Sequence, residues 1–290
     1  MNISSKYVGA VCKPLEVEVS TRHCINYAAA IGDANPWHLD DARPEGIIAP
    51  PMLAVALSWR ISERFPEYWG GADFPYEALA RQVHFSEVLE WKRVMRPGDR
   101  LRIQGEVTGI LPHRAGTHLI ITYTATDNAG DVVFIEHIGG LLRGVKCADE
   151  GRGRDAVEPA DLQRDAEPIW TRQLHIGRFA PYVYDACAEV HFPIHISPAF
   201  AKSVGLPGII FQGTGALAMA VRELVAACAD NDPRRVRGVQ CRFSGMIMPD
   251  STITLQVMSR TELKTGIQYT FNVLNVHGKP ALSSGSILLA

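Results

Sequence analysis

The sequence predicts an α+β fold in which two tandem units each wrap an antiparallel sheet around a central helix. Three observations lead to this prediction. A charged stretch without an apolar face, residues 147–168, divides the chain of 290 residues near its middle and is interpreted as a linker. On both sides of it, a run of small apolar residues at helical spacing precedes segments in which apolar and polar residues alternate. The repeated order indicates one unit present twice, with the two copies joined as a pseudo-dimer.

The first unit, which we call half one, is assigned to residues 1–146, and its central helix is predicted over 51–65. Ala, Leu and Met recur there at helical spacing, whereas Arg and Glu come only late in the run. Strands separated by turn sequences follow over 83–88, 101–107, 118–126 and 132–142. Their alternation gives the sheet one apolar face, which needs a cover, and the helix supplies it.

The second unit, half two, is assigned to residues 169–290 and repeats this order. Its central helix is predicted over 213–229, where small apolar residues again recur at helical spacing. The strands that follow are predicted over 236–248, 253–259, 265–276 and 281–289. Because the two halves share one order of elements, we expect them to share one fold.

The charge balance excludes several classes of partner. The chain carries 29 Lys and Arg against 31 Asp and Glu, a formal net charge of −2. A nucleic-acid-binding protein is usually strongly basic, and polybasic attachment to a membrane also needs an excess of cations. No apolar run approaches the roughly 18 residues of a spanning helix. We therefore expect neither nucleic acid nor a membrane as a partner.

The cysteines and the amino terminus predict a reduced, cytoplasmic protein. Six cysteines are scattered without a Cys-x-x-Cys pair, so neither a zinc site nor a disulfide framework is expected. The histidines also lack the spacing of metal ligands. No apolar segment of signal-peptide length follows the first residues. The prediction is a cytoplasmic protein without a bound metal.

Residues 27–40, YAAAIGDANPWHLD, form the most specific motif of the chain. They resemble the signature Y-A-x-x-x-G-D-x-N-P-x-H-x-D of the MaoC-like, (R)-specific enoyl-CoA hydratases, and every fixed position is met. Two halves of this kind resemble the fused, double hot-dog members of that family. The resemblance covers nearly the whole chain outside the linker, and it implies two tandem hot-dog units.

The resemblance also implies an activity and a substrate class. It implies a hydro-lyase that interconverts a trans-2-enoyl thioester and the (R)-3-hydroxyacyl thioester, with no metal or redox cofactor. The partner would be a small-molecule acyl thioester whose carrier is coenzyme A or an acyl carrier protein. A homodimer of double hot-dog chains is a further expectation. A hot-dog acyl-CoA thioesterase and a non-catalytic acyl-thioester binding subunit are the alternatives, because one fold hosts several chemistries.

Asp33, Asn35 and His38 are the residues of the motif that carry chemistry. Addition of water to an unsaturated thioester needs a group that deprotonates water and a group that protonates the α-carbon. Asp33 and His38, with Pro36 between them, suit a rigid turn that presents a carboxylate and an imidazole to one point. Asn35 is expected either to orient the water or to brace the turn. The residue types alone leave a structural role open, since Asp-x-Asn-Pro is also favourable turn and capping chemistry; the resemblance implies that Asp33 and His38 are the catalytic pair.

The second half departs from this motif. When its histidine, His195, is aligned with that of the first motif, Val190 takes the Asp position and Phe192 the Asn position. Neither side chain transfers a proton or orients water. His191 and Glu189 lie close in sequence and are the candidate substitutes. The favoured interpretation is a degenerate copy in which His195 is structural or lines the substrate tunnel.

The backbone donor that would stabilise the developing enolate is present in half two and missing at the equivalent position of half one. A helix N-terminus offers backbone N–H donors to such a charge, and the resemblance implies that the donor is the glycine of a His-Gly pair opening the central helix. Gly213, which follows Gln212, suits this role in half two, whereas Pro51 of half one has no N–H. Proline is also favourable at a helix start, so Pro51 has an ordinary structural explanation.

Three arrangements of the site follow from this asymmetry. In the first, half one is active through Asp33 and His38, with a donor such as the N–H of Met52. In the second, half two is active through His195 and Gly213, with one of the two substitute groups. The third is a composite site across the pseudo-dimer. We favour the first because it keeps the complete acid–base pair.

Overall fold

The computed structural model describes residues 1–70, 73–158 and 167–290, and within them ten strands form one large sheet. The elements of half one are β1 (Asn2–Ile3), β2 (Leu15–Glu18), α1 (Thr21–Ala30), α2 (Pro36–Leu39), α3 (Leu53–Glu63), α4 (Phe65–Trp69), β3 (Gln82–Trp91), β4 (Arg100–His113), β5 (Gly116–Thr126), β6 (Val132–Arg143) and β7 (Lys146–Cys147). The elements of half two are β8 (Trp170–Ile176), α5 (Ala180–Ala188), α6 (Pro198–Ser203), α7 (Gly213–Cys228), β9 (Val236–Phe243), β10 (Ser251–Leu263), β11 (Gly266–Leu274) and β12 (Pro280–Leu289). Short 3-10 helices lie at Ser5–Tyr7, Tyr76–Arg81, Pro193–His195 and Pro233–Arg235.

The large sheet has the strand order β2-β4-β5-β6-β3-β9-β12-β11-β10-β8, and all its neighbouring strands are antiparallel. Read inward from its own edge, half two repeats the strand order of half one. β3 and β9 join the halves at the centre, where Ser86 lies opposite Arg242 and Glu90 opposite Gly238. The predicted α+β architecture, two sheet-and-helix units joined as a pseudo-dimer, is therefore confirmed.

The central helices α3 and α7 cover the sheet as the sequence predicts. Six apolar side chains of α3 are buried, among them Leu53, Leu57 and Ile61. Full burial of one such side chain contributes roughly 1.5–3 kcal/mol, so this face is a main source of stability. The helix is shorter than the predicted 51–65, and Pro66, which has no N–H to donate, already lies in α4. Among the described residues, no helix is long and apolar enough to cross a membrane.

Helices α1 and α5 pack against each other at the junction of the halves, and the sequence analysis does not predict either of them. The hydroxyl groups of Tyr27 and Tyr184 lie 3.0 Å apart, and Tyr184 also donates to the hydroxyl of Thr214 at the start of α7. Complete burial raises the pKa of Tyr184 to about 12, so both phenols stay neutral. The ring of His23 lies 3.1 Å from the carbonyl oxygen of Ala188 and adds another polar contact between the halves. These pairs hold the two copies of the unit together away from the sheet.

Strand β9 ends at Phe243, five residues before the predicted end at 248. The chain leaves the sheet there because Ser244 N–H bonds the carbonyl of Ala281 in a new direction. Ile247 is nevertheless buried, and its carbonyl accepts a hydrogen bond from Phe211 N–H just before α7. The apolar signal at 247 therefore reports burial under the start of α7 and not a longer strand.

The linker predicted over 147–168 lies partly outside the described residues, since 159–166 are not among them. Its described part runs along the sheet. Ile110 and Arg152 exchange two backbone hydrogen bonds of 2.9 Å, and the Asp155 carboxylate pairs with the Arg242 guanidinium. The side chain of Val157 is buried. The domain boundaries drawn from composition stay a prediction.

Candidate active site

The motif of half one begins where α1 ends. Gly32 has a φ of +63°, and its N–H bonds Ala29 O while the N–H of Asp33 bonds Ala28 O. This pair of bonds is a common way to end a helix, and it needs a left-handed residue that is usually glycine. A Cβ at position 32 would also lie 3.1 Å from Nη1 of Arg222. The glycine therefore sets the point at which the chain turns toward the site.

The next residues fold into a capped turn that brings the acid and the base together. The carboxylate of Asp33 accepts a hydrogen bond of 3.0 Å from Asn35 N–H. The side-chain oxygen of Asn35 in turn accepts from Trp37 N–H at 3.0 Å and caps α2, whose first residue is Pro36. His38 lies on the same turn of helix. Local capping chemistry thus accounts for the spacing of the motif.

His38 is held in one tautomer and one orientation. Its side chain is 1% exposed, and its Nδ1 lies 3.0 Å from the carbonyl oxygen of Ile48. A carbonyl only accepts, so Nδ1 carries the hydrogen and Nε2 keeps a lone pair. Nε2 lies 3.7 Å from Oδ2 of Asp33. Burial lowers the pKa of His38, opposed by the Ile48 carbonyl and the Asp33 carboxylate. The ring is therefore a neutral base near pH 7.

Both halves contribute walls to the pocket that contains this pair. Half one provides Ile31, Pro50, Pro51 and Met52 beside Asp33 and His38. Half two provides Ala218, Val221, Arg222 and Val225 of α7, together with Pro233. The lining is mostly apolar, and its ionisable groups are the Asp33 carboxylate, the His38 imidazole and the Arg222 guanidinium. The cavity between these walls has a volume of about 10 Å³, which is room for about one water molecule beside the acid–base pair.

The start of α3 offers one free backbone donor next to the pocket. Pro50 and Pro51 have no N–H, while Leu53 N–H and Ala54 N–H bond the carbonyls of those two prolines. Among the described residues, the N–H of Met52 has no hydrogen-bond acceptor. Met52 is therefore the first residue of this helix start whose N–H is available to a ligand.

The side chain of Asn35 braces the turn. Its Nδ2 donates to Oδ1 and to the carbonyl oxygen of Asn231, at 3.1 and 3.0 Å, and its Oδ1 is occupied by Trp37 N–H. The residue is 6% exposed. Of the two roles that the sequence analysis leaves open for Asn35, these contacts favour bracing over the orientation of a water.

His195 of half two has the same anchor as His38 but lacks its acidic partner. Its Nδ1 lies 2.8 Å from the carbonyl oxygen of Ile210, and burial lowers its pKa. Val190 is buried at the position of the missing acid. Among the described residues, no acidic side chain forms an ion pair with His195. The Asp185 carboxylate acts to raise the pKa of His195 but lies beyond ion-pair distance and pairs with His191, so His195 is placed like a base without a direct acidic partner.

The two candidate substitutes in half two are engaged with other groups. The ring of His191 lies 3.0 Å from the carboxylate of Asp185, and the carboxylate of Glu189 lies 2.7 Å from the guanidinium of Arg60. Both substitutes have side chains that are almost half exposed. The structure therefore leaves His191 and Glu189 in ion-pairing positions at the surface and does not pair either with His195.

The start of α7 is covered by an aromatic ring. A Cβ at Gly213 would lie 2.6 Å from Cδ1 of Phe243, so glycine is needed for packing at this position. The Phe243 ring also lies on the ring of His84, with centroids 4.4 Å apart. A second aromatic pair, Trp59 and Phe192, meets edge to face where the first half has its Asn35. Aromatic packing thus occupies the region of half two that corresponds to the pocket.

The sequence analysis left a composite site open but did not identify the residues that half two contributes to the site of half one. The guanidinium of Arg222 bonds the carbonyls of Ile31 and Gly32, and Arg234 stacks on Trp37 at 3.9 Å from the ring centroid. One signal was present in the repeat: Arg222 occupies the position in α7 that Arg60 occupies in α3. No local pattern around either arginine says which loop it reaches.

The fold and this site define a double hot-dog protein in which one half keeps a buried carboxylate–imidazole pair. Two dehydratase families match the chain, one in each half: a "MaoC like domain" matches residues 182–275, and a "FAS1-like, dehydratase domain region" matches residues 6–136. The resemblance to MaoC-like dehydratases seen in the sequence is thereby confirmed.

Relatives and solved structures agree with this assignment. The enoyl-CoA hydratase ChsH3 of Mycobacterium tuberculosis is 25% identical over 262 residues, 86% of this chain and 87% of that protein. A probable enoyl-CoA hydratase 2 of Dictyostelium discoideum is 22% identical over 98% of this chain and 95% of its own length. The crystal structure of a MaoC-like dehydratase from Phytophthora capsici superposes with a TM-score of 0.83 at 22% identity, covering 98% of both chains. This structural likeness confirms the hot-dog fold.

Proposed function

We propose that the protein is a hydro-lyase that interconverts a trans-2-enoyl thioester and the (R)-3-hydroxyacyl thioester through Asp33 and His38. One observation carries the proposal: His38 Nε2 and Asp33 Oδ2 face each other across 3.7 Å in a largely apolar pocket. That distance is too long for a direct hydrogen bond, and a single water can bridge the two atoms. Such a water is held between a base and a carboxylate.

In the hydration direction, the pair moves one proton out of the water and returns one to the substrate. Nε2 of His38 takes a proton as the water oxygen bonds to the β-carbon, while Asp33 orients the water. The electron pair of the double bond moves toward the thioester carbonyl, and the α-carbon then receives a proton from the acid–base pair. Dehydration is the reverse sequence. Atoms and charge balance without any redox change, and no resident cofactor enters the proposal.

The developing charge on the thioester oxygen needs a donor that is already in place. The N–H of Met52 is suited to this role because it opens an eleven-residue helix beside the pocket. With Met52 in this role, half one has a backbone donor although Pro51 has no N–H. It also keeps the whole reaction within the loop 33–38 and the start of α3.

Coenzyme A is the proposed carrier of the acyl group. Two relatives with matching length are named as enoyl-CoA hydratases. An acyl carrier protein is the other carrier of the same thioester chemistry. The homodimer and the cytoplasmic location stay predictions from the sequence.

The direct test is an assay that follows both the double bond and the thiol. Purified protein is incubated with crotonyl-CoA and with a longer trans-2-enoyl-CoA, and the product is analysed by chiral chromatography while a thiol reagent detects free coenzyme A. We expect the (R)-3-hydroxyacyl-CoA and no thiol release. Thiol release without hydration would support a thioesterase, and saturable binding without turnover would support a non-catalytic subunit; either result contradicts the proposal.

The assignment to half one makes a separate prediction for His195. Replacing His195 by asparagine keeps a donor to the Ile210 carbonyl and removes the free ring nitrogen, so we expect kcat to stay within about threefold of wild type, in line with a substitution outside the reacting pair. Initial rates with crotonyl-CoA measure the effect, and a thermal unfolding curve controls for damage to the fold. A loss of several hundredfold in a folded variant would place the working site in half two.

A further inference from the structure

Helix α7 of half two reaches into the site of half one through one side chain. Nη1 of Arg222 donates to the carbonyl oxygens of Ile31 and Gly32, the latter at 3.1 Å. The side chain is 18% exposed and lines the pocket beside Asp33 and His38. On its other edge, Nε donates to the carboxylate of Glu223 at 3.0 Å, which fixes the guanidinium plane. A partly buried arginine thus donates from one nitrogen to both residues that precede the acid.

The loop after α7 holds the residue on the other side of the acid. Asn231 has a φ of +57°, and its carbonyl and side-chain oxygens both accept from Nδ2 of Asn35. Its own N–H bonds the carbonyl of Val225 in the last turns of α7, so the loop is tied to that helix. Asp33 therefore sits on a short segment whose two ends are both held by half two.

The internal repeat provides a comparison within the molecule. Arg60, the equivalent of Arg222, crosses to half two in the same way, but it meets the carboxylate of Glu189 and no backbone carbonyl of the motif loop. Glu189 takes the place of Gly32, and both end their helices in the left-handed conformation, with φ values of +58° and +63°. Each half thus sends one arginine to the other half. Among the described residues, only Arg222 donates hydrogen bonds to the backbone of a motif loop, and that loop belongs to half one.

We propose that Arg222 and Asn231 are positioning residues for the site of half one, so that half two, although it lacks an acid of its own, is a working part of that site. The inference rests on the proposed function. The gap of 3.7 Å between Asp33 and His38 depends on where the segment 31–35 lies, because Asp33 is carried on it while His38 is anchored separately to Ile48. A misplacement of about 1 Å between reacting groups can cost about a hundredfold in rate.

The experiment compares two matched substitutions. One removes the arginine that half two sends to half one, and the other removes the arginine that half one sends to half two. Arg222→Met removes the grip on the loop of half one, and Arg60→Met removes the ion pair with Glu189. We expect Arg222→Met to lower kcat by about 10- to 100-fold with KM within about threefold, and Arg60→Met to leave kcat within about twofold. Arg222→Lys, which can still donate to a carbonyl, should recover part of the loss. Asn231→Gly, which keeps the left-handed backbone and removes one acceptor, should lower kcat by a smaller factor.

Thermal unfolding of both methionine variants separates positioning from a loss of fold, since each removes one contact between the halves. A wild-type kcat in Arg222→Met, or an equal loss of kcat in the two methionine variants, overturns the inference. Asp33→Asn is measured alongside: if it is inactive while Arg222→Met is fully active, the inference alone is wrong. Full activity of Asp33→Asn would overturn the half-one site and the inference with it.

Discussion

Replacing His38 by asparagine, or Asp33 by asparagine, should lower kcat for the hydration of an enoyl-CoA by about 10²- to 10⁴-fold, the usual contribution of a positioned acid or base. His38→Asn removes the lone pair at Nε2 and keeps a donor for the Ile48 carbonyl. Asp33→Asn removes the charge and keeps an oxygen to accept from Asn35 N–H. Both variants should therefore fold, and initial rates with crotonyl-CoA measure the loss.

The matched control for His38→Asn is His195→Asn, because the two rings have the same anchor to a backbone carbonyl. The contrast between these two variants isolates the presence of the acidic partner. Equal rates in both would contradict the assignment of the site to half one. A large loss of kcat in His195→Asn alone would support a site in half two built on His195 and Gly213.

The same site predicts where activity falls on acidification. The base must be neutral, and burial lowers the pKa of His38 from its ordinary value of 6.5. The neutral form therefore persists to a lower pH than in an exposed histidine, and the acidic limb of kcat/KM should lie below about pH 6.5. A profile of kcat/KM with a half-maximal point above pH 7 would contradict this view of His38.

The parts of the fold and site that the sequence predicts are those that local chemistry determines. Period-two alternation marked the strands, and small apolar residues at helical spacing marked α3 and α7. The site motif was predictable because Asp33, Asn35 and His38 bond within one capped turn. The helices α1 and α5 were missed because part of their burial comes from each other, across the two halves, through contacts such as Tyr27 with Tyr184.

The contacts that complete the site were beyond sequence reasoning for a physical reason. Arg222 and Asn231 reach the loop 31–35 across separations of 190 and 196 residues, and no spacing rule connects positions so far apart. The aromatic packing in half two was also beyond sequence reasoning, because it joins residues of both halves. Trp59 of half one fills the space beside Phe192, so the loss of the acid at Val190 is accompanied by packing from the other half.

A second large effect is expected from two carboxyl groups in the core of half one. Glu87 on β3 and Glu136 on β6 are 0% exposed, and the strand register places them diagonally, with Glu136 opposite Leu89. Two ionised carboxylates cannot bond each other, whereas a protonated one can donate to its neighbour; Glu87 and Glu136 lie within reach of such a bond, and Ser58 lies beside Glu136. The ring of His84 lies 3.0 Å from Glu87, but burial lowers the pKa of His84 to about 4, so it brings no positive charge near pH 7.

Burial raises the pKa of both carboxyl groups well above the ordinary value of 4.5, and the proximity of Glu87 raises that of Glu136 further. The folded protein therefore keeps protons that the unfolded chain releases above about pH 4.5. Stability from this source is complete below that pH and falls as the pH rises toward the folded pKa values. The slope is about 1.4 kcal/mol per pH unit for each retained proton.

Between about pH 7 and about pH 8.5 an unfolded histidine has already titrated, but buried thiols such as that of Cys24, whose pKa is also raised by burial, add a fall in stability of their own. The difference between the wild type and a variant without the two carboxyl groups therefore isolates their effect. We expect the free energy of unfolding of the wild type, measured by urea denaturation, to fall across this range. Glu87→Gln combined with Glu136→Gln should flatten the dependence and be the more stable protein at the alkaline end. Glu90→Gln on the same strand, whose side chain is half exposed and paired with Lys92, is the control and should keep the wild-type slope. Equal slopes for the wild type and the double variant would mean that the two carboxyl groups are already ionised in the folded protein.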